Sequence, residues 1–306
     1  MGPTLLAGIG QVTKRYADLV NGEYIAFGDK PKEAEYDYGF AFVLPIKEQL
    51  DIVDQYMSIC KKKIYMTICE TETVNPAYGI LTRYKELWVA SDFCKNVFQR
   101  QFPEVSWKVL PLYAPPQKVP RNLDIKRPYT FYTIGNILDP RKNIKSLIEA
   151  FLRCEFPMDD AILLLKATCV RPVDWKVPGV HIINGLLSNE DMERVHDQGD
   201  CYINCSHSEG VGMGAVEAAM RKKPVIISDY GGLKEYVHTP FVVKCKIGPI
   251  GFDDFLFTKD LEWGHPSQED LMLHMQTCFD KKLSYSENAF TEGLMAGVPD
   301  SLRSIQ

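Results

Sequence analysis

The chain has 306 residues, of which 45% are hydrophobic and 25% are charged, and its formal net charge is −5. This length allows two domains of ordinary size, and the composition is that of a soluble globular protein. A net negative chain offers no overall basic field to a nucleic acid or an anionic membrane surface, so the sequence carries no strong nucleic-acid signal.

Nine cysteines are scattered singly through the chain. Their odd number and the lack of a C-x-x-C pair disfavour both a disulfide framework and a structural zinc site. The histidines show no ligand-like spacing, so we expect no metal and no resident cofactor. No apolar run approaches the length of a membrane span, and the first residues do not resemble a signal peptide. These features predict a cytoplasmic protein without a transmembrane segment.

The first half of the chain reads as strands alternating with helices. A short strand candidate at 4–7 precedes Gly8-Ile9-Gly10 and a helical pattern from Gln11 to Val20. Further along come strands at 24–27 and 39–44, a helix at about 46–60, a strand at 63–68, a strand from 87 into a helix capped by Ser91, and a strand at 108–112. Residues 114–120 are rich in proline and predict an interdomain linker.

The second half continues the alternation. Strands are predicted at 129–134, 161–166, 180–183, 201–205 and 224–228, and helices at 144–152, from the cap Ser188 to 198, and at 268–281. This order predicts an α/β fold of two doubly wound, Rossmann-like domains facing across a cleft. The expected domains are residues 1–120 and 121–285, followed by a tail at 286–306.

One stretch, Asp200 to Val237, carries the densest pattern: DCYINCSHSEGVGMGAVEAAMRKKPVIISDYGGLKEYV. An apolar strand runs into a polar turn, after which Gly210, Gly212 and Gly214 open a helix. Unpaired backbone N–H groups and the positive end of the helix dipole face the same point in such a unit. The stretch therefore predicts a site for a phosphorylated ligand.

The glycines allow two interpretations. Gly210 to Ala215 also fits the dinucleotide pattern G-x-G-x-x-G/A, with Asp229 about twenty residues on as a partner for the ribose of NAD. Four polar residues separate the strand from the first glycine, however, and the last of them, Glu209, would repel a pyrophosphate. The other interpretation uses Glu209 and Glu217 in E-x7-E spacing, one accepting hydrogen bonds from sugar hydroxyls and the other binding a ribose diol.

The string from Ser206 to Val237 closely resembles the donor-site motif of retaining GT-B glycosyltransferases of family 4. It matches E-G-x-G, E-A-x, P-V-I-x-S and G-G-x-x-E in order. The resemblance is strong over residues 129–240, weaker over 62–113 and poor at both ends. It implies transfer of a sugar from a nucleotide diphosphate sugar to a hydroxyl acceptor with retention of configuration. Because the chain has no D-x-D motif, a metal-independent transferase is favoured.

By this resemblance, Lys142 and Arg141 stabilise the charge that develops on the diphosphate, and Glu209 holds sugar hydroxyls. Glu217 binds the ribose, and backbone groups after the strand at 180–183 read the base. The implied donor-binding residues are Gly135, Asn136, Asn184, Gly185, Leu186, Gly210, Val211, Gly212, Met213, Gly214 and Glu217. The acceptor-side candidates are Gly8, Ile9 and Gly10 in a glycine-rich loop, and Glu70 and Glu72 after a strand.

The chain departs from the family pattern at three places. Asn136 stands where the family has an arginine, which removes one cation from the diphosphate site. The N-terminal domain is shorter than usual, and 287–294 is a short candidate for the helix that crosses back to the first domain. The first two departures keep open a catalytically weakened subunit that binds nucleotide sugars, and a sugar-nucleotide epimerase of the GT-B fold is a separate alternative. The sequence identifies neither the donor nucleotide nor the acceptor.

Overall fold

A computed structural model describes residues 8–26, 28–119, 127–157, 159–169, 171–254 and 256–287, with 290, 295, 298 and 302. The strand predicted at 4–7 and most of the helix predicted at 287–294 lie outside these residues. The chain divides into two compact units. Unit 1 comprises Met1–Pro115, Pro249–Trp263 and Glu292–Gln306, and unit 2 comprises Pro116–Gly248 and Gly264–Thr291.

The segment Pro249–Trp263 belongs to unit 1, although the sequence placed it in the second domain. Its largest side chain is Trp263, which is buried and makes edge-on ring contacts with Phe252 and Phe257 of the same segment, at centroid distances of 5.8 and 5.7 Å. Large aromatic side chains bury much apolar surface, so this segment has a small core of its own.

Unit 1 contains a sheet of four parallel strands that follow one another in chain order. The strands are β1 (Tyr36–Phe42), β2 (Cys60–Thr67), β3 (Glu86–Val89) and β4 (Ser106–Val109), and the helices are α1 (Gly8–Leu19), α2 (Lys47–Met57) and α3 (Asp92–Gln101). The predicted cap of α3 is confirmed, because the Ser91 hydroxyl accepts a hydrogen bond from the backbone N–H of Cys94 at 3.3 Å.

Two predictions for unit 1 were wrong in detail. Gly8, Ile9 and Gly10 form the first turn of α1 rather than a loop before it. The Thr13 hydroxyl donates to the carbonyl of Ile9 at 2.8 Å, four residues back, as helical geometry requires. The strand predicted at 24–27 is reduced, in the described residues, to an isolated bridge at Ala26.

Unit 2 contains a six-stranded parallel sheet in the order β10-β9-β8-β5-β6-β7. The strands are β5 (Tyr129–Gly135), β6 (Ala161–Ala167), β7 (Val180–Ile183), β8 (Cys201–Asn204), β9 (Val225–Ser228) and β10 (Val242–Val243). The helices are α4 (Ile144–Arg153), α5 (Asn189–Gln198), α6 (Met213–Met220), α7 (Leu233–Tyr236) and α8 (Gln268–Asp280). The doubly wound order predicted for this half is confirmed.

The strand order reverses between β5 and β8. From β5 the chain adds β6 and β7 on one side, and it then returns to add β8, β9 and β10 on the other. Open parallel sheets of this kind bind ligands outside the carboxyl ends of the strands, where the order reverses. The loops after β5 and β8 therefore occupy the position at which a ligand is expected.

Apolar side chains on both faces explain why these strands are central. Phe131, Leu163 and Ile203 on one face, and Tyr132 and Tyr202 on the other, are all buried, as in parallel sheets covered by helices. A separate two-stranded sheet, β11 (Cys245–Pro249) and β12 (Glu262–Pro266), contains the points at which the chain leaves unit 2 and returns to it. Throughout the described ranges, every helix is too short or too polar to cross a lipid bilayer.

Candidate active site

The loops after β5 and β8 are joined directly. The backbone N–H of His207 donates to the carbonyl of Arg141 at 2.8 Å, and the Asn143 side chain donates to the carbonyl of Cys205 at 3.2 Å. Beside them lies a small cavity, lined in part by Gly135, Asn136, Lys142 and Ser206. The structure thus brings the two predicted phosphate loops to one place.

Local sequence directs the two cations of the first loop. The Asp139 carboxylate accepts a hydrogen bond from the backbone N–H of Arg141 at 2.9 Å and caps a short 3₁₀ turn, Pro140–Lys142. Asn143 follows with a φ of 54°, a left-handed conformation that asparagine tolerates. This reversal ends the turn before α4 begins and leaves both cationic side chains beside the second loop.

Glu209 is the centre of the site and is only 6% exposed. Its Oε1 accepts hydrogen bonds from Lys142 Nζ at 2.5 Å, Ser206 Oγ at 2.8 Å and Asn204 Nδ2 at 3.3 Å. Its Oε2 accepts from Arg141 at 3.0 Å. All three residues predicted to be catalytic are therefore in one hydrogen-bonded cluster.

This cluster fixes the charge of Glu209. Burial raises the pKa of its carboxyl, but the charges of Lys142 and Arg141 outweigh that effect and lower the pKa to about 2. Arg141 also pairs with Asp139 at 3.2 Å. Two cations thus face two carboxylates, and the cluster has no excess positive charge of its own.

The glycine pair Gly231-Gly232 contacts the backbone of Glu209. The backbone N–H of Gly232 donates to the carbonyl of Glu209 at 2.9 Å. Gly231 has a φ of +87°, and a Cβ added there would lie 2.4 Å from the same carbonyl oxygen. Only glycine fits this close approach without strain.

The helix α6 begins later than the first glycine of the motif. Gly210 and Val211 lie in the turn, and Gly212 is the N-cap residue, with a φ of +75°. Gly214 lies inside the first turn of the helix, where an added Cβ would be 2.3 Å from the Tyr202 hydroxyl. The lack of a side chain at Gly214 lets α6 pack closely on β8, and the N-terminus of α6 lies at the carboxyl edge of the sheet. Met213 is the first residue of α6, and Glu217 lies one turn further on.

The Asn136 side chain holds its own loop. Its carboxamide oxygen accepts hydrogen bonds from the backbone N–H of Leu138 at 3.2 Å and from the Cys169 thiol at 3.0 Å. This residue therefore shapes the turn after β5 and supplies no cation in place of the arginine of the family pattern.

The predicted base-reading loop follows β7. The Asn184 side chain accepts from the backbone N–H of Val173 at 2.8 Å and donates to its carbonyl at 2.9 Å. Gly185 has a φ of +84°, and Leu186 is exposed. The carbonyl of Gly185 accepts from Lys166 Nζ at 2.6 Å. Lys166 had no predicted role, and the only signal in the sequence was a lysine near the end of an otherwise apolar strand.

His207 packs beside the cluster as a neutral side chain. Its ring nitrogen Nδ1 lies 2.9 Å from the carbonyl of Gly264 and so carries the proton of that hydrogen bond. Burial lowers the pKa of His207. In the described part of the chain, no three or more His, Cys, Asp or Glu side chains form a group suited to a metal ion.

The predicted acceptor-side residues, Gly8, Ile9, Gly10, Glu70 and Glu72, all belong to unit 1, and the donor-side residues all belong to unit 2. Both glutamates lie in the loop after β2. Two hydrogen bonds hold that loop at Glu72. Its backbone N–H donates to the backbone carbonyl of Glu262 at 2.9 Å, and its backbone carbonyl accepts from the Arg100 guanidinium at 3.0 Å.

Part of the sequence matches the model of a known protein family, and the fold is similar to that of several solved structures. The family model described as "Glycosyl transferases group 1" matches residues 177–242, which include Glu209, α6 and the turn at Gly231. No curated protein matches the sequence significantly.

Several solved glycosyltransferases have a similar fold. The pneumococcal O-GlcNAc transferase GtfA, in complex with UDP and GlcNAc, has a TM-score of 0.53 at 13% identity, over 87% of this chain and 53% of its own. Sucrose-phosphate synthase from Thermosynechococcus elongatus has a TM-score of 0.57 at 13% identity, over 97% of this chain and 72% of its own.

The glycosyltransferase WaaG, involved in lipopolysaccharide biosynthesis, has a TM-score of 0.55 at 13% identity, over 99% of this chain and 92% of its own. The present chain spans about half the length of the GtfA chain. Its fold is that of the GT-B glycosyltransferases, and the segment that matches the group 1 family model contains Glu209 and α6, whereas Arg141 and Lys142 precede it.

Proposed function

We propose that this chain is a retaining glycosyltransferase, similar to family 4, that moves a sugar from a nucleotide diphosphate sugar to a hydroxyl acceptor without a metal ion. The observation that carries the proposal is the cluster of Glu209 with Arg141 and Lys142 beside the N-terminus of α6. Such a site presents cations, a carboxylate and backbone N–H groups together at the edge where α/β sheets bind ligands.

In this proposal each group meets a different part of the donor. Lys142 and Arg141 stabilise the developing charge of the diphosphate leaving group, and the N–H groups of Gly210–Gly214 bind phosphate and sugar. Glu209 accepts hydrogen bonds from sugar hydroxyls, and Glu217 binds the ribose. Backbone groups at Asn184–Leu186 bind the base.

A bound donor would redistribute the hydrogen bonds of Glu209. Lys142 now donates to Glu209 at 2.5 Å, so a diphosphate would share that ammonium with the carboxylate. The cluster is neutral overall, and the positive potential that attracts the donor would come mainly from the N-terminus of α6. We therefore expect donor affinity to depend on the glycine turn as well as on the two cations.

The proposed chemistry uses the diphosphate itself. The leaving group would take up the acceptor proton on the face of the sugar from which it departs, which retains the configuration. The protein would supply positioning and charge stabilisation. Unit 1 would bind the acceptor, with Gly8–Gly10, Glu70 and Glu72 as candidates. A reducing, cytoplasmic location is supported by the nine free thiols.

A second candidate is a subunit that binds nucleotide sugars but turns them over weakly. It is favoured by Asn136, whose side chain is engaged with Leu138 and Cys169 and brings no cation to the diphosphate. In this case the missing charge would slow departure of the leaving group more than it weakens binding.

One experiment separates these functions. The purified protein is screened by thermal shift against UDP-, GDP-, ADP- and CMP-sugars, with NAD and NADP as controls, because a ligand of the folded state raises the melting temperature. Donors that bind are then incubated with and without candidate acceptors, and free nucleotide and sugar products are measured.

Nucleotide release that requires an acceptor supports the transferase. Interconversion of the sugar while it stays attached to the nucleotide would indicate an epimerase, and binding without any reaction would indicate the weakened subunit. Stabilisation by NAD but by no nucleotide sugar would overturn the proposal.

A further inference from the structure

Lys166 is a buried lysine near the carboxyl end of β6. It is 1% exposed, and its Nζ donates to two backbone carbonyls, Ala167 at 2.7 Å and Gly185 at 2.6 Å. Within the described ranges, no carboxylate lies within ion-pair distance of this ammonium. The side chain therefore brings a charge into the interior in order to bind main-chain oxygens.

Such a residue is unfavourable unless it holds something in place. Transfer of an ammonium out of water is costly, and burial lowers the pKa of Lys166. An apolar side chain would fill the same space without that penalty. Its clearest contribution is at Gly185, whose left-handed backbone, with a φ of +84°, turns its carbonyl toward the ammonium.

A second contact fixes the same loop from another direction. The Asn184 side chain pairs with both backbone groups of Val173, at 2.8 and 2.9 Å. Asn184 and Gly185 are both exposed to solvent, so their own burial does not order them. The loop Asn184–Leu186 thus owes its shape to these two anchors.

The anchored loop lies at the same sheet edge as the Glu209 cluster. Lys166 is the register partner of Ile134, and the backbone N–H of Thr168 donates to the carbonyl of Gly135 at 2.8 Å. Gly135 and Asn136 line the cavity beside Lys142. The diphosphate loop follows β5 and the base-side loop follows β7, and β6, which carries Lys166, lies between these two strands.

We propose that Lys166 is a positioning residue that holds the Asn184–Leu186 loop in the shape that binds the nucleoside part of the donor. The inference rests on the proposed function. Loss of the ammonium frees the Gly185 carbonyl, and the loop then samples other conformations before it binds. Because part of the binding free energy goes into ordering the loop again, affinity falls while the reacting groups keep their places.

The chain offers a matched control. Lys223 is also buried, at 4% exposed, and its Nζ also donates to a backbone carbonyl, that of Gly199, at 2.6 Å. Gly199 and Lys223 precede β8 and β9, so this contact lies at the amino ends of the strands, away from the proposed site. Loss of Lys223 removes a similar buried contact without touching the loop.

The test compares Lys166→Met with Lys223→Met in the full chain. The dissociation constants of UDP, GDP and ADP are measured by calorimetry, and amide exchange is followed over residues 184–188. We expect Lys166→Met to weaken the nucleotide that wild type binds at least tenfold, with faster exchange in the loop. In the transfer assay, KM for the donor should rise more than kcat falls. Lys223→Met should leave binding and loop exchange unchanged.

The possible results distinguish a failure of the Lys166 proposal from a failure of the proposed function. If wild type binds a nucleotide and Lys166→Met binds it equally well, Lys166 has no positioning role. If wild type binds none of the three, the proposed function fails, whereas faster loop exchange in Lys166→Met would still uphold the anchoring contact. Should Lys166→Met fail to fold, Lys166→Gln, which keeps an amide donor, replaces it in the same comparison with Lys223→Gln.

Discussion

Lys142 Nζ and Glu209 Oε1 lie 2.5 Å apart, although the two residues are 67 positions apart in the sequence. Burial raises the pKa of the Glu209 carboxyl, but Lys142 and Arg141 lower it to about 2, well below its ordinary value of 4.5. The ionised group therefore stabilises the folded chain above pH 4.5, and this contribution is lost as the pH falls from 4.5 toward 2.

Glu209→Gln should lower the free energy of unfolding at neutral pH by roughly 3 kcal/mol, because it removes the buried carboxylate that pairs with the half-buried cations Arg141 and Lys142. Urea unfolding of wild type and variant measures the difference. The difference in unfolding free energy between wild type and variant should shrink as the pH falls from 4.5 toward 2. A difference that does not change with pH would contradict the lowered pKa of Glu209. The exposed carboxylate of Glu190 is the control, and Glu190→Gln should change stability little.

Lys142→Ala should lower kcat for sugar transfer by about a hundredfold, the usual cost of removing one group that stabilises developing negative charge. KM for the donor should change less, because Arg141 and the α6 N-terminus remain. Steady-state kinetics with the donor found in the screen gives both values. Lys145→Ala, at an exposed position of α4, is the control. An unchanged kcat in Lys142→Ala would remove Lys142 from the catalytic assignment.

Glu217→Ala should weaken nucleotide binding about tenfold or more, because charge-assisted hydrogen bonds to a ribose diol are lost. The effect on kcat at saturating donor should be smaller. Calorimetry with the free nucleotide measures the affinity, and Glu149→Ala on α4 serves as a control at another helical glutamate. Equal affinities of Glu217→Ala and wild type would show that Glu217 does not bind the ribose.

Gly231→Ala and Gly185→Ala should differ in stability although both glycines have nearly the same φ, +87° and +84°. A Cβ at Gly231 meets the Glu209 carbonyl oxygen at 2.4 Å, whereas a Cβ at Gly185 meets nothing within 4 Å. Both variants bear the left-handed penalty of about 1–2 kcal/mol, and only Gly231→Ala must also move backbone. Urea unfolding should show that Gly231→Ala is the less stable variant. Equal losses of unfolding free energy in the two variants would contradict the close approach of Gly231 to the Glu209 carbonyl oxygen.

The local signals in the sequence were sufficient for much of unit 2. Ser188 was predicted as a helix cap from its position before an acidic first turn, and it accepts a hydrogen bond from the backbone N–H of Asp191 at 3.1 Å. The glycine pattern predicted the strand-turn-helix unit, but the start of α6 at Met213 depends on the left-handed Gly212, which spacing alone does not locate.

The long-range features could not be predicted in the same way. Spacing suggested separate roles for Glu209 and Lys142, and only the sheet order shows that their loops meet. The membership of Pro249–Trp263 in unit 1 depends on contacts between residues far apart in sequence, such as the hydrogen bond from the backbone N–H of Glu72 to the carbonyl of Glu262, which no local propensity reports. Gly8–Gly10 had the composition of a loop, yet they adopt helical geometry that glycine permits but does not favour.

The discontinuity of unit 1 affects how the chain folds during synthesis. Its parallel sheet uses strands from the first 115 residues, whereas the segment Pro249–Trp263 emerges from the ribosome only after all six strands of the unit 2 sheet. Domains usually fold as units while synthesis proceeds. The unit 2 sheet can therefore form before the Pro249–Trp263 segment has been synthesised. Unit 1 is completed only after that segment has left the ribosome.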